Sequence, residues 1–83
     1  MRVDTLETLI RRVLGEMRLI GYTLSATPIE EVPGLVCFIV SFLSRKQRPL
    51  FIYLDVHEQN EKRLLEEITR QVVEDPHGVI RRG

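Results

Sequence analysis

The stretch "LVCFIVSFLSRKQRPLFIYLDV", Leu35–Val56, decides the fold. Its first apolar run, Leu35–Leu43, is nine residues long and includes Ser41, whereas a membrane-spanning helix needs about 20. Arg45, Lys46 and Arg48 then interrupt the stretch at its centre. The residues on either side of that basic loop are rich in β-branched and aromatic types, which suit a pleated, packed surface. The stretch therefore reads as two strands and a loop, and no membrane association is expected.

Upstream, "VPGL" places Pro33–Gly34 at the centre of a type II turn. Before it, "YTLSATPIEEV" alternates weakly and holds Pro28, which fits an edge strand better than a central one. The N-terminal part, "MRVDTLETLIRR", carries acids and lacks an apolar core, so it is not expected to act as a signal peptide. Leu6, Leu9, Ile10, Val13, Leu14, Met17 and Ile20 recur at helical spacing. Asp4 and Glu7 have the capping-box form and Gly21 a stop signal, which predicts a helix over about 5–20.

Downstream, Asp55 and Glu58 repeat the capping pattern and predict the start of a second helix through "EQNEKRLLEEITRQVV". This helix would bury Leu64, Leu65, Ile68 and Val72, with Glu58/Lys62 and Glu66/Arg70 bracing its outer side. "EDPHG" ends it, and 78–83 reads as a loose tail. The expected fold is α+β: one small domain over 1–83, in α-β-β-β-α order, with a three-stranded antiparallel sheet packed on two helices.

If Val32 pairs with Leu35 and Ser44 with Pro49, one face collects Leu24, Ala26, Val32, Leu35, Cys37, Ile39, Leu43, Leu50, Ile52, Leu54 and Val56, an aliphatic surface suited to the helices. The other face then collects Val36, Phe38, Val40, Phe42, Phe51 and Tyr53. That apolar face is the candidate partner interface, because a large uncovered aromatic patch usually marks an interaction site. The rival arrangement puts one helix on each face and buries both sides within the chain.

The 83 residues form a net-neutral chain, 43% hydrophobic and 29% charged, as in an ordinary soluble domain. The single cysteine, Cys37, cannot close an internal bridge, which fits a cytoplasmic, reducing location. In the expected register Cys37 is a core residue without a nearby histidine. Asp55, His57, Glu58 and Glu61 include metal-ligating types, but their spacing matches no zinc or calcium loop. Glu74, Asp75 and His77 read as a turn. No phosphate loop or nucleophile elbow is present, so no catalytic residues, metal or cofactor are expected.

The reading that follows is a small non-enzymatic interaction or regulatory module, self-associating as a dimer or docking another protein through the aromatic face. The alternative is an RNA- or DNA-binding module: Phe38, Phe51 and Tyr53 would stack bases while Arg45, Lys46 and Arg48 hold phosphates. Arg81 and Arg82 form a second basic pair. The element order resembles that of double-stranded-RNA-binding domains, where a basic start to the second helix would meet the phosphates. Here that segment reads Glu58, Gln59, Asn60, Glu61, and the chain has no basic excess.

Overall fold

The computed structural model describes residues 1–74, so the readings of Asp75, His77, Arg81, Arg82 and the 78–83 tail lie outside the described residues. Five elements follow in the expected order: α1 (Val3–Glu16), β1 (Tyr22–Pro28), β2 (Leu35–Phe42), β3 (Leu50–Asp55) and α2 (Glu61–Glu74). The strands make one antiparallel sheet with β2 in the middle.

The helix boundaries differ from those expected, for local reasons. α1 begins after an extended Arg2 that makes no side-chain cap, and Leu6 N–H donates to the Arg2 carbonyl at 3.0 Å. Asp4 therefore lies within the first turn, where a carboxylate favours the helix dipole without acting as the cap. At the other end, Arg18 takes a left-handed conformation at φ 63°. Its N–H donates to Gly15 O at 3.0 Å, and Leu19 N–H donates to Leu14 O at 2.9 Å. These two bonds form a Schellman motif that closes the helix four residues before the expected end. Leu19 folds back on the core while Ile20 is left 80% exposed.

An L-residue in the left-handed region costs about 1–2 kcal/mol, which glycine avoids. Arg18→Gly should therefore stabilise the domain by about 0.5–1 kcal/mol after allowing for the freer unfolded chain. Urea unfolding should show a higher midpoint at an unchanged slope; a lower midpoint would mean that the arginine side chain contributes more than its backbone costs.

α2 starts at Glu61 because Asn60 caps it: Asn60 Oδ1 accepts the Arg63 N–H at 3.2 Å. The Asp55–Glu58 pattern instead shapes the connecting turn, where Asp55 Oδ1 accepts the His57 N–H and Asp55 O accepts the Glu58 N–H. With Glu58 outside the helix, the expected Glu58/Lys62 pair gives way to a 3.9 Å contact between Glu58 and Arg63. Arg70 similarly pairs with Glu67 and Glu74 rather than with Glu66. Arg12 reaches Glu61 at 3.4 Å and links the two helices, an exposed contact worth about 1 kcal/mol or less.

Both helices cover the same side of the sheet. The core joins Leu6, Ile10 and Leu14 of α1 and Leu64, Ile68 and Val72 of α2 to Phe38, Val40, Leu50 and Ile52. Arg11 lies over the Tyr22 ring at 5.8 Å, which seats α1 towards β1, while α2 packs beside β3.

The register corrects the expected pairing of β2. Pairing Val32 with Leu35 would place Leu24 opposite Leu43, yet Leu24 pairs with Val40, a slip of three. Leu50 also pairs with Val40 rather than with Leu43. A slip by an odd number turns a strand over. β1 and β3 consequently keep their expected faces, and β2 alone is reversed. The Val32–Leu35 type II turn does form, with Leu35 N–H donating to Val32 O at 3.0 Å and Gly34 at φ 90°. A second turn precedes it, Val32 N–H donating to Ile29 O, so the ladder closes farther out between Ile29 and Leu35. A turn at Ser44–Gln47 lengthens the other loop in the same way.

Candidate interaction face

With β2 reversed, the uncovered side of the sheet has a different membership from the one expected. Val36, Phe38 and Val40 are buried beneath the helices, with Phe38 fully inaccessible. Phe42 is half-buried and meets Tyr22 edge-to-face at 6.1 Å. Only Phe51 and Tyr53 of the six expected interface residues lie on the open side, 43% and 44% exposed.

Beside them the reversal brings Leu35, Cys37 and Ile39, which stand across β2 from Asp55, Tyr53 and Phe51. The five apolar members, Leu35, Cys37, Ile39, Phe51 and Tyr53, form a stripe along the β2–β3 half of the sheet. Thr23, Ser25, Thr27 and Ser41 form its hydroxyl-bearing border on the β1 side, and Asp55 closes one end. The face is graded from apolar to polar across its width. A sheet face turned to water usually carries polar residues throughout, and the β2–β3 half of this face does not.

Cys37 belongs to this stripe and not to the core beneath the helices. It is nevertheless only 6% exposed, lying in the middle strand opposite Tyr53 and Thr27. The Cys37 side chain, as hydrogen-bond partner, holds the Tyr53 phenol above its ordinary pKa, with a smaller electrostatic contribution and some burial.

The Tyr53 backbone is also held. Its N–H donates to Gln71 Oε1 at 2.8 Å and its carbonyl accepts from Gln71 Nε2 at 2.7 Å. One amide side chain on α2 thereby occupies the β3 edge as a neighbouring strand would. Between this edge and α2 lies an open groove of about 620 Å³, lined by the acids Asp55, Glu58, Glu66 and Glu67 and by Arg63 and Arg70. Glu67 is held below the usual carboxylate range, chiefly by its bond to Arg70. Arg63 and Arg70 pair with Glu58 and Glu67, and Asp55 and Glu66 lie outside those two pairs as the groove's acidic excess.

The basic residues Arg45, Lys46 and Arg48 are exposed in the β2–β3 loop. Asp55 and His57 meet through a turn bond beside Gly34. Among the described residues, no group of three or more His, Cys, Asp or Glu side chains is placed to hold a metal ion. No helix among them is long and apolar enough to cross a membrane.

No protein-family model, curated protein or solved structure matches the chain.

One sequence signal would have identified β2's open residues. Ser41 falls on the helix-covered side in the expected register, whereas in the observed register it joins Thr23, Ser25, Thr27 and Asp55. Gathering the polar strand residues on one side selects the observed pairing, because a buried hydroxyl needs a partner.

Proposed function

We propose that the chain is a non-enzymatic interaction module of the cytoplasm that seats an apolar surface of another protein on its open sheet face. The supporting observation is that both helices pack on one side while Leu35, Cys37, Ile39, Phe51 and Tyr53 line the other, where Phe51 and Tyr53 are exposed, Leu35 and Ile39 partly so, and Cys37 is buried among its strand neighbours. Phe51 and Tyr53 are the anchors: large, side by side on β3, and fixed by the sheet before a partner arrives. Preformed aromatic anchors bind at a low entropic cost. The lone thiol, Cys37, sits within this seat and agrees with a reducing compartment.

Two exposed rings beside a basic loop also fit a nucleic-acid platform. The acidic side of the face argues against it, since Asp55 borders Tyr53 and Glu66, outside the ion pairs with Arg63 and Arg70, lies just beyond. A phosphate backbone tracking this face would meet those carboxylates.

A photo-crosslinking residue placed at position 51 or 53 should yield protein adducts in cells, whereas one at the exposed Thr8 of α1 should not. Adducts from Thr8 alone would overturn the reading. Adducts to RNA from positions 51 and 53, lost with Arg45→Glu and Arg48→Glu, would replace it with the nucleic-acid one.

A further inference from the structure

The two edges of the sheet are treated differently. Gln71 closes the β3 edge at Tyr53, but among the described residues nothing pairs with β1's outer edge. The bonds that close the β1–β2 ladder show which groups face outward. Ile29 N–H donates to Leu35 O at 2.9 Å and Leu43 N–H donates to Gly21 O at 2.7 Å. Backbone groups alternate between the two edges of an antiparallel strand. Thr23, Ser25 and Thr27 therefore bond β2, and Tyr22, Leu24 and Ala26 turn their N–H and C=O groups away from the sheet.

That bare edge lacks the usual guards. No charged residue or proline occurs from Tyr22 to Thr27, and only Pro28 ends the strand. Sheet edges without lysine, proline or a bulge are templates for another strand.

We propose that this edge pairs with the same edge of a second copy, antiparallel about a two-fold axis at Leu24. In that register Leu24 meets Leu24 of the copy, and Tyr22 meets Ala26 of the copy. Every outward N–H and C=O of these three residues finds a partner, and Pro28, which has no N–H, is not needed. Centring the axis on Ala26 would set Leu24 against Pro28 and lose a bond. The side chains agree with the register. On the helix side the half-buried Leu24 residues meet at the axis and a large Tyr22 faces a small Ala26. On the open side Thr23 faces Ser25 of the copy, an uncharged hydroxyl pair. The chain's zero net charge adds no long-range repulsion.

The dimer so formed has one continuous sheet, with the two apolar stripes at its outer parts and the hydroxyl border across its middle. The inference is carried by the edge and is independent of what the open face binds.

Absolute mass by light scattering on the full chain, over a range of concentrations, tests it. The wild type should approach twice 9.7 kDa. Leu24→Pro removes one outward N–H and should give a monomer. Ser25→Lys, which leaves the core untouched, should weaken the dimer about tenfold by setting lysines on either side of the axis. Adding Thr23→Glu to Ser25→Lys should restore the dimer, because only this register places residue 23 opposite residue 25. Circular dichroism confirms folding in each case. A folded wild type that stays monomeric at all concentrations would overturn the proposal. So would a dimer that ignores Ser25→Lys or instead dissociates with Phe51→Lys, which would place the contact on the face.

Discussion

Phe38→Ala is expected to lower the melting temperature by roughly 15–30 °C, whereas Phe51→Ala should move it by only a few degrees. The two residues are of one type, lie on neighbouring strands, and differ in the side of the sheet they face. Phe38 is fully buried between α1, α2 and the centre of the sheet. Its truncation leaves a cavity and costs about 3–5 kcal/mol, a large share of the roughly 5–15 kcal/mol that holds a domain together. Phe51 is 43% exposed, so the same truncation removes little that the fold depends on. Its loss should cost about 1 kcal/mol or less. Phe38→Arg, which would bury an unpaired charge, should yield no folded protein. Thermal unfolding followed by circular dichroism checks all three. Equal losses at Phe38 and Phe51 would mean that both sides of the sheet are covered within the chain.

Gly34→Ala should destabilise the domain by about 2 kcal/mol. The glycine stands at φ 90°, where an L-side chain is strained whatever the space around it. A Cβ there would also lie 2.6 Å from His57 Cδ2 and 3.2 Å from Asp55 Oδ1. His57 is exposed and can swing away, but Asp55 Oδ1 is committed to the His57 N–H. The same glycine's carbonyl accepts the Val56 N–H at 2.9 Å, so the turn also anchors the end of β3. A double-mutant cycle separates the two contributions. In a His57→Ala background the cost of Gly34→Ala should fall by its steric part and leave the backbone strain. An unchanged cost would assign the whole effect to the backbone.

Element order, the buried stripe of α1 and the type II turn were legible because each rests on a local signal. Leu6, Leu9, Ile10, Val13 and Leu14 all reach the core, and Pro33–Gly34 takes the turn that its residue types demand. The helix ends were less legible. Arg18 occupies a left-handed position that its residue type does not announce, and Asn60 caps α2 although Asp55–Glu58 offers the more obvious pattern.

The face of β2 was the least legible feature. "LVCFIVSF" is apolar on both sides of the strand, so its periodicity cannot say which residues face the helices. Only the loop lengths decide, and both loops contain a turn inside a longer connection. β3 was read correctly because its aliphatic residues, Leu50, Ile52 and Leu54, alternate with Phe51, Tyr53 and Asp55. The candidate face was accordingly legible on β3 and not on β2. Phe51 and Tyr53 stand where the sequence put them, while Leu35, Cys37 and Ile39 replace Val36, Phe38, Val40 and Phe42.

These placements lead to one picture: a sheet braced by two helices on one side, with an apolar seat left open on the other. Edge pairing through β1 would leave that seat free in the dimer. The most direct measurement is solvent paramagnetic relaxation of the aromatic ring protons, using a neutral gadolinium chelate on the purified chain. The account predicts strong broadening of the Phe51 and Tyr53 rings and none of the Phe38 ring. Broadening of Phe38 with protection of Phe51 and Tyr53 would contradict it, by showing that the covered and open sides of the sheet are the reverse of those described.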